Sequence, residues 1–401
     1  MTVSKKAAED PAAVVPAPPE SRRMLFAVLG PFACGYLLSY VLRNVNAVIA
    51  PDLVASFGLD ASDLGLLTSS YFFTFALFQP MLGALLDRFG PRRVQGSLLI
   101  VAAAGSFLFA WSASTPFLIV GRCLIGLGVS ACLMAGFQAN ALWFERHRLA
   151  AMNAWILAGG GIGAVFSTVP VEWALQWTDW RSLFTVFAVA FAAVSAVIFT
   201  SVPERHGPTV RVTLAEQFKG FRQIGASREF WRIAPLATLS QSTFMSLQGL
   251  WAAEWMRDVG GYGRAETADY LLIAAASMVA GHLIMGNLAA RPGRSGYGAA
   301  YVVGGGIGVA VLVQAALALG CKGMPITLWA LFGFLGTAGT VNFAILTQAF
   351  PVAMAGRANT ALNLIIFVAT FLVQWGMGVV INRFPAASGH YAPEGYGIAF
   401  G

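Results

Sequence analysis

GALLDRFGPRRV, residues 83–94, sets four charges and a Gly-Pro pair between two long apolar runs, 65–86 and 95–113. Each run is about 20 residues, the length that crosses roughly 30 Å of hydrocarbon at about 1.5 Å rise per residue. The stretch therefore reads as a tight polar turn at a membrane surface, with Gly90 and Pro91 marking a break between two spanning helices.

Working outward, similar runs recur along the whole chain. The expected spans are 25–50, 65–86, 95–113, 116–142, 150–170, 182–201, 233–256, 268–289, 298–320, 325–349 and 358–382, and EGYGIAFG reads as the first turns of a twelfth cut off at Gly401. Across 401 residues, 57% are hydrophobic and 11% charged, with mean hydropathy +0.70. That composition excludes a soluble domain and implies an all-α membrane protein with the lipid bilayer as its partner.

Loops on the cytoplasmic side of a membrane collect Lys and Arg. With the N-terminus placed inside, 18 of the 25 basic residues fall on that side, five on the other, and two, Arg43 and Arg122, inside spans. The net charge of +7 thus follows topology and gives no reason to expect nucleic acid. The expected location is the cell membrane, multi-pass, N-terminus cytoplasmic.

Residues 1–23 are proline-rich, of mixed charge and without an apolar core, so a disordered cytoplasmic tail is expected there. Three of the four cysteines, Cys34, Cys123 and Cys132, lie in spans, which argues against disulfides or a cysteine metal site. The expected organisation is a six-helix bundle over 24–201, a central cytoplasmic loop over 202–231, and a second bundle over 232–401. Thr213 and Glu216 have capping-box spacing ahead of Leu214, Phe218 and Phe221, predicting a short amphipathic helix in that loop. FERHRLAAMNAWI (144–156) and FPVAMAGRANTALNLI (350–365) have matching plans, and GNLAARPGR (286–294) is a weaker echo of the opening stretch. Glycines at 159–163 and 304–308, with Gly333, Gly336 and Gly339, are expected to let helices approach closely.

Gly83, Asp87, Arg88, Gly90, Arg92 and Arg93 resemble the cytoplasmic signature between the second and third helices of the major facilitator superfamily. GRCLIG, with Arg122 and Gly126, resembles that family's Arg-x-x-x-Gly signature, and DWRSLF and PE at 203–204 bracket the sixth span in a similar way. The resemblance covers about residues 24–401. It implies two six-helix bundles around a midplane site that is exposed alternately to each side. Within it Gly83, Asp87, Arg88, Gly90, Arg92, Arg146 and Arg357 are expected to form a cytoplasmic latch, Asp87 accepting hydrogen bonds near Arg357 and pairing with Arg146 or Arg148. GGGIGAVFSTVP in span five departs from the Gly-Pro-centred pattern of the family's drug/proton antiporters.

YVLRNVNAVIAP (40–51) resembles the first helix of organophosphate and anion transporters in this superfamily, with Tyr40, Arg43 and, shifted by one, Asn46 at the pattern positions. Independently, Tyr36, Tyr40 and Arg43 share a helix face. A buried arginine costs roughly 2.5–3.5 kcal/mol on insertion scales and demands a partner. No acidic residue of the first six spans is placed to supply one, so an anionic ligand is expected. The alternative is that Arg43, close to Pro51, snorkels to the membrane surface. Arg122 is either a second ligand cation or a proton-responsive group, or else a bridge between helices one and four. Gln241, Gln248, Asn363 and Gln374 are further substrate-contact candidates from the second bundle, each equally suited to helix–helix hydrogen bonding.

His282, near the middle of span eight, is the candidate for ion coupling, set against a histidine that merely joins helices. No carboxylate, histidine or cysteine cluster suits an enzyme or a metal, and no cofactor is implied. The expected function is secondary active transport of a small organic anion, carboxylate-type, by a monomer, coupled to a proton or a counter-anion. Proton-coupled efflux of a metabolite or drug is the alternative.

Overall fold

The computed structural model of the chain describes residues 25–205, 214–289, 298–386 and 390–401. The expected tail over 1–23 and the end of GNLAARPGR lie outside the described residues, as do 206–213 of the central loop. Among the described residues the chain is helical, with one isolated bridge between Pro385 and Tyr391.

Span one is a π-helical turn, Leu25–Leu29, then α1 (Gly30–Asn44) and α2 (Asn46–Phe57), interrupted at Val45. Gly58, at φ 64°, ends α2 in the left-handed conformation. Asp60 caps the next helix, its carboxylate accepting from the Asp63 amide at 2.8 Å, and α3 (Ala61–Ala110) carries both spans that flank the opening stretch. Gly90 separates them at φ 76°, ψ 162°, a conformation open in practice to glycine alone. Pro91 follows, its missing N–H harmless at the start of the second segment.

Span four is α4 (Thr115–Val129) with α5 (Cys132–Trp143). Span five is α6 (Leu149–Phe166) with α7 (Val169–Leu175), bent by 44°. Span six is α8 (Trp180–Ser201), capped by Asp179 on the Ser182 amide at 2.7 Å. The central loop contains the expected helix, α9 (Leu214–Gly225); its Phe221 and Ile224 pack on Phe230, Ala358 and Leu362.

Span seven is α10 (Arg228–Ser246), a π-helical turn (Leu247–Trp251) and α11 (Ala252–Asp258). Then come α12 (Arg264–Ala289), α13 (Gly298–Ala318), α14 (Pro325–Gly336), a 3-10 turn (Thr337–Thr340), α15 (Val341–Ala349), α16 (Val352–Ile381) and α17 (Pro393–Phe400). Eight of the described helices are long and apolar enough to cross a membrane, nine if α6 and α7 form one bent span. That number differs from eleven because α3 holds two spans and because the broken span seven carries Ser, Thr and Gln along its length.

The helices pair alike in the two halves. Span one packs on five and two on four; seven packs on eleven and eight on ten. This is the spatial form of the repeat suggested by the matching loop sequences. Glycine explains one of these contacts: a Cβ on Gly160 would lie 2.5 Å from Tyr36 Cε1 and 3.0 Å from Tyr40 Cδ2. The second glycine cluster corrects the expectation, since Gly304, Gly305 and Gly308 face open space and only Gly306 abuts another helix, at Ala338. Large apolar side chains such as Leu77, Phe107, Val189, Leu239 and Leu312 point outward and are exposed. Hydrocarbon, not water, is the medium that tolerates such a surface.

The helix ends define two ends of the molecule. The signature end holds residues 86–93, 145–148 and 202–205; the far end holds 52–60, 172–179, 258–264, 382–386 and 390–392.

Candidate functional site

Midway between the ends, at the seam of the halves, lies a cavity of about 420 Å³ counting its open part, lined by Tyr40, Arg43 and Asn44 from span one, Gln241, Phe244, Met245 and Gln248 from span seven, Met278 and His282 from span eight, and Thr340 from span ten. Three helix irregularities converge on it. Asn44 is the last residue of α1 before the break at Val45, Gln248 sits in the π-helical turn, and Thr340 ends the 3-10 turn. Interrupted helices free backbone groups and re-aim side chains, which is tolerated at membrane depth only against protein or a cavity.

Arg43 does not snorkel. Its guanidinium carbon lies 4.5 Å from the Tyr40 ring centroid, 5.7 Å from that of Phe75 and 5.4 Å from that of Phe367. Phe367 belongs to α16, so rings from both halves surround the cation, and stacking restricts its plane. Ion pairs among the described residues involve neither Arg43 nor Arg122, and Arg43 Nε is buried with no hydrogen-bond partner.

The other candidates are distributed differently. Gln241 donates to the Gly336 carbonyl at 3.0 Å and Gln248 reaches Met278 Sδ at 3.2 Å, so both serve the cavity wall and a helix contact together. His282 Nδ1 is 2.9 Å from its own helix's Met278 carbonyl. Tyr36 is buried one layer back, edge-on to Tyr40 at 5.1 Å. Asn46 is fully buried and donates to Thr68 at 2.9 Å; Asn44 takes the cavity position instead. Arg122 is fully buried, donates to the Leu42 carbonyl at 2.8 Å and lies 5.4 Å from the Tyr71 ring. It bridges helices one and four beside the break at Val45 and does not line the cavity. Gln374 is fully buried near Gly249 and the Arg43 carbonyl, and Asn363 is half-buried away from the lining. The lining residues Phe244, Met245, Met278 and Thr340, and the caging Phe75 and Phe367, carry no sequence signal that separates them from core.

At the signature end, Arg92 donates to the Phe199 carbonyl and lies 3.5 Å from Glu204, while Arg93 Nε donates to Glu204 at 2.5 Å. The turn at Gly90 thus aims two arginines at the end of span six. Asp87 is exposed and accepts from Gln138 at 3.4 Å, while Arg357 lies against Gly220 of α9; the expected contact between them is not made in this conformation. Gly83 and Arg88 are exposed, Arg88 over the Phe89 ring at 5.1 Å, and the side chain of Arg146 lies outside the described residues. Asp87 is open to solvent on one side, and partial desolvation on the other shifts its carboxyl upward.

The far end is where polar bonds join the halves. Arg264, first residue of α12, donates to both Asp52 carboxylate oxygens at 2.9 and 2.7 Å and to Glu172 at 2.6 Å. Hydrogen bonding to Asp52, then Glu172, holds this guanidinium more basic than usual against partial burial. Nearby, Asn382 donates to Asp60 at 3.0 Å and the Ala61 amide to the Tyr391 hydroxyl at 2.7 Å.

Two matching sets of membrane-spanning helices with a polar-lined cavity at their seam define the class: a polytopic membrane protein built of two helical halves. The chain belongs to the Major Facilitator Superfamily, whose family model matches residues 32–374. It is similar to the hexuronate transporter of Escherichia coli (strain K12), at 24% identity over 252 residues, 59% of this chain and 58% of that one. It is similar also to the probable sulfoacetate transporter SauU of Cupriavidus necator, at 26% over 206 residues, 50% of this chain and 47% of that one. The chain spans about half the length of the curated relatives it matches. Among solved structures, a bacterial homolog to the human lysosomal transporter Spinster, in inward-facing and unoccupied conformation, superposes with a TM-score of 0.77 at 19% identity, covering 91% of this chain and 84% of that one. The D-xylose-proton symporter gives 0.72 at 18%, covering 94% and 95%. These likenesses show the fold.

Proposed function

We propose that this chain is a secondary active transporter that moves a small organic anion, carboxylate-type, across the cell membrane by alternating access, with Arg43 as the group that binds the anionic end. The observation that carries this is the Arg43 guanidinium: it lines the cavity between the halves, is stacked on Tyr40, and has no carboxylate partner. A buried cation without a counter-anion is expensive, and a bound carboxylate satisfies it with a planar, bidentate pair. Gln241, Gln248, Thr340 and Asn44 supply hydrogen-bonding groups for the rest of a polar acid. Relatives named for hexuronate, sulfoacetate and galacturonate support the same class.

His282 shares the cavity with Arg43 and is the proton-coupling group if transport is symport; anion exchange is the other mode this site supports. The signature end is cytoplasmic, on the strength of its Lys and Arg excess, so this conformation is closed outside. Residues 24–201 and 232–401 are the two rocking bundles, α9 within 202–231 tethers them, and Asp87 engages only when the cytoplasmic side closes. A thermal-shift screen of purified protein against small carboxylates, amino acids, phosphates and cationic drugs tests the class, since a ligand of the folded state raises the unfolding temperature. Carboxylate hits are expected. A cationic-drug hit with no anion hit would replace this reading by efflux.

A further inference from the structure

Three cavities form a row from the central site toward the far end. The central one shares Asn44 and Gln248 with a second, narrow crevice, which shares Ala47 and Leu271 with a third of similar size. The row runs between spans one and five of the first half and spans seven and eight of the second, and its last member is walled by Arg264 and Glu172. Arg264 comes from the second half. Its three hydrogen bonds, two to Asp52 and one to Glu172, all go to the first.

We infer that this row is the collapsed outer half of the substrate route and that Arg264 is the residue that locks it shut. The inference rests on the transporter reading, with the signature end inside. A guanidinium that satisfies one carboxylate in bidentate fashion and a second through Nε spans two helices of the opposite half, so those helices cannot part from α12 without breaking all three bonds. Glu172 is the more buried partner, with its side chain 10% exposed against 30% for Asp52. Asn382 with Asp60 and Tyr391 with the Ala61 amide hold a second point of the same seam, but neither bond is a charge pair, and neither residue walls the row. The lock is specific in geometry: Lys has no fork to hold Asp52 and Glu172 together.

The test is labelling of Leu271→Cys, which sits where the second and third cavities meet, by a membrane-impermeant maleimide added from outside. It is done in the full chain with Cys34, Cys123, Cys132 and Cys321 replaced. Arg264→Gln is expected to raise the labelling rate about tenfold, as a shift of population toward the outward-open state. Asp52→Arg alone is expected to do the same. Combining it with Arg264→Asp restores a pair across the seam and should return labelling to within about threefold of the parent, as a coupled pair requires. Parental labelling in Arg264→Gln, with an unchanged unfolding temperature, would overturn the assignment. So would a double variant that labels as fast as Asp52→Arg, which applies even if Arg264→Gln does not fold. No substrate is present, so an error in the proposed anion class leaves the outcome untouched.

Discussion

Replacing Gly90 with alanine isolates the physical basis of the signature turn. At φ 76°, ψ 162° an L side chain is strained wherever it points, and this one has room: the nearest atom to an added Cβ is the Arg205 carbonyl oxygen at 3.9 Å. The cost is therefore conformational, about 1–3 kcal/mol, or roughly 5- to 150-fold in the folding equilibrium. Steric repacking adds nothing. Gly304 is the matched control, a helical glycine with nothing within 4 Å of its would-be Cβ, where alanine is worth about 0.5–1 kcal/mol in the opposite direction. Thermal unfolding followed by tryptophan fluorescence should place Gly90→Ala about 1–4 °C below the parent and Gly304→Ala at or slightly above it. Because Gly90 aims Arg92 and Arg93 at span six, the loss should come with faster proteolysis at the 86–93 turn. If Gly90→Ala unfolds at or above the parental temperature, the turn is not a backbone requirement, and the glycine must be explained another way.

Partial desolvation raises the Asp87 carboxyl, so this conformation favours the protonated group: that stabilisation is complete below the ordinary carboxylate pKa and is lost as pH rises through the raised one. Asp87→Asn should flatten that pH dependence and shift the population toward the present conformation, read as greater cytoplasmic accessibility of a reporter cysteine and slower turnover with affinity little changed. Gly160→Val drives a branched side chain into Tyr36 and Tyr40; it should cost about 1–3 kcal/mol of stability and depress flux by displacing the ring on which Arg43 stacks. His282→Gln should leave anion binding in place and abolish the response of flux to an imposed proton gradient; a full response in the variant would remove His282 from the coupling role, and no response in the parent would assign the mode to anion exchange.

Much of the architecture is legible because the membrane enforces it: apolar runs of one length, basic loops on one side, and a Gly-Pro turn whose backbone geometry requires glycine. The site is legible in part. Tyr40 and Arg43 share the cavity because one unbroken stretch of α1 carries both, but the resemblance to anion transporters, shifted by one, selects Asn46, and the interruption at Val45 gives the place to Asn44. Gln248 and Thr340 owe their positions to a π-helical and a 3-10 turn that hydropathy does not register. Arg264 is, in sequence, one more basic residue beside an apolar run, with nothing local to set it apart. Its partners lie 212 and 92 residues away, a separation that no local pattern reveals. GGGIG occurs twice with opposite surroundings, packed at 159–163 and largely open at 304–308, since a small residue permits a close approach without compelling one.

The central claim is that Arg43 binds the transported anion. Its most direct test is uptake into proteoliposomes of the carboxylate that gives the largest thermal shift, comparing the parent with Arg43→Lys and Arg43→Gln. A hydrogen bond to a charged group contributes about 1.5–3 kcal/mol, so Arg43→Gln should lose roughly 10- to 150-fold in transport efficiency. Arg43→Lys, keeping the charge without the fork, should fall between it and the parent, and both should express and fold. Parental flux in Arg43→Gln would contradict the account and remove the anion assignment with it.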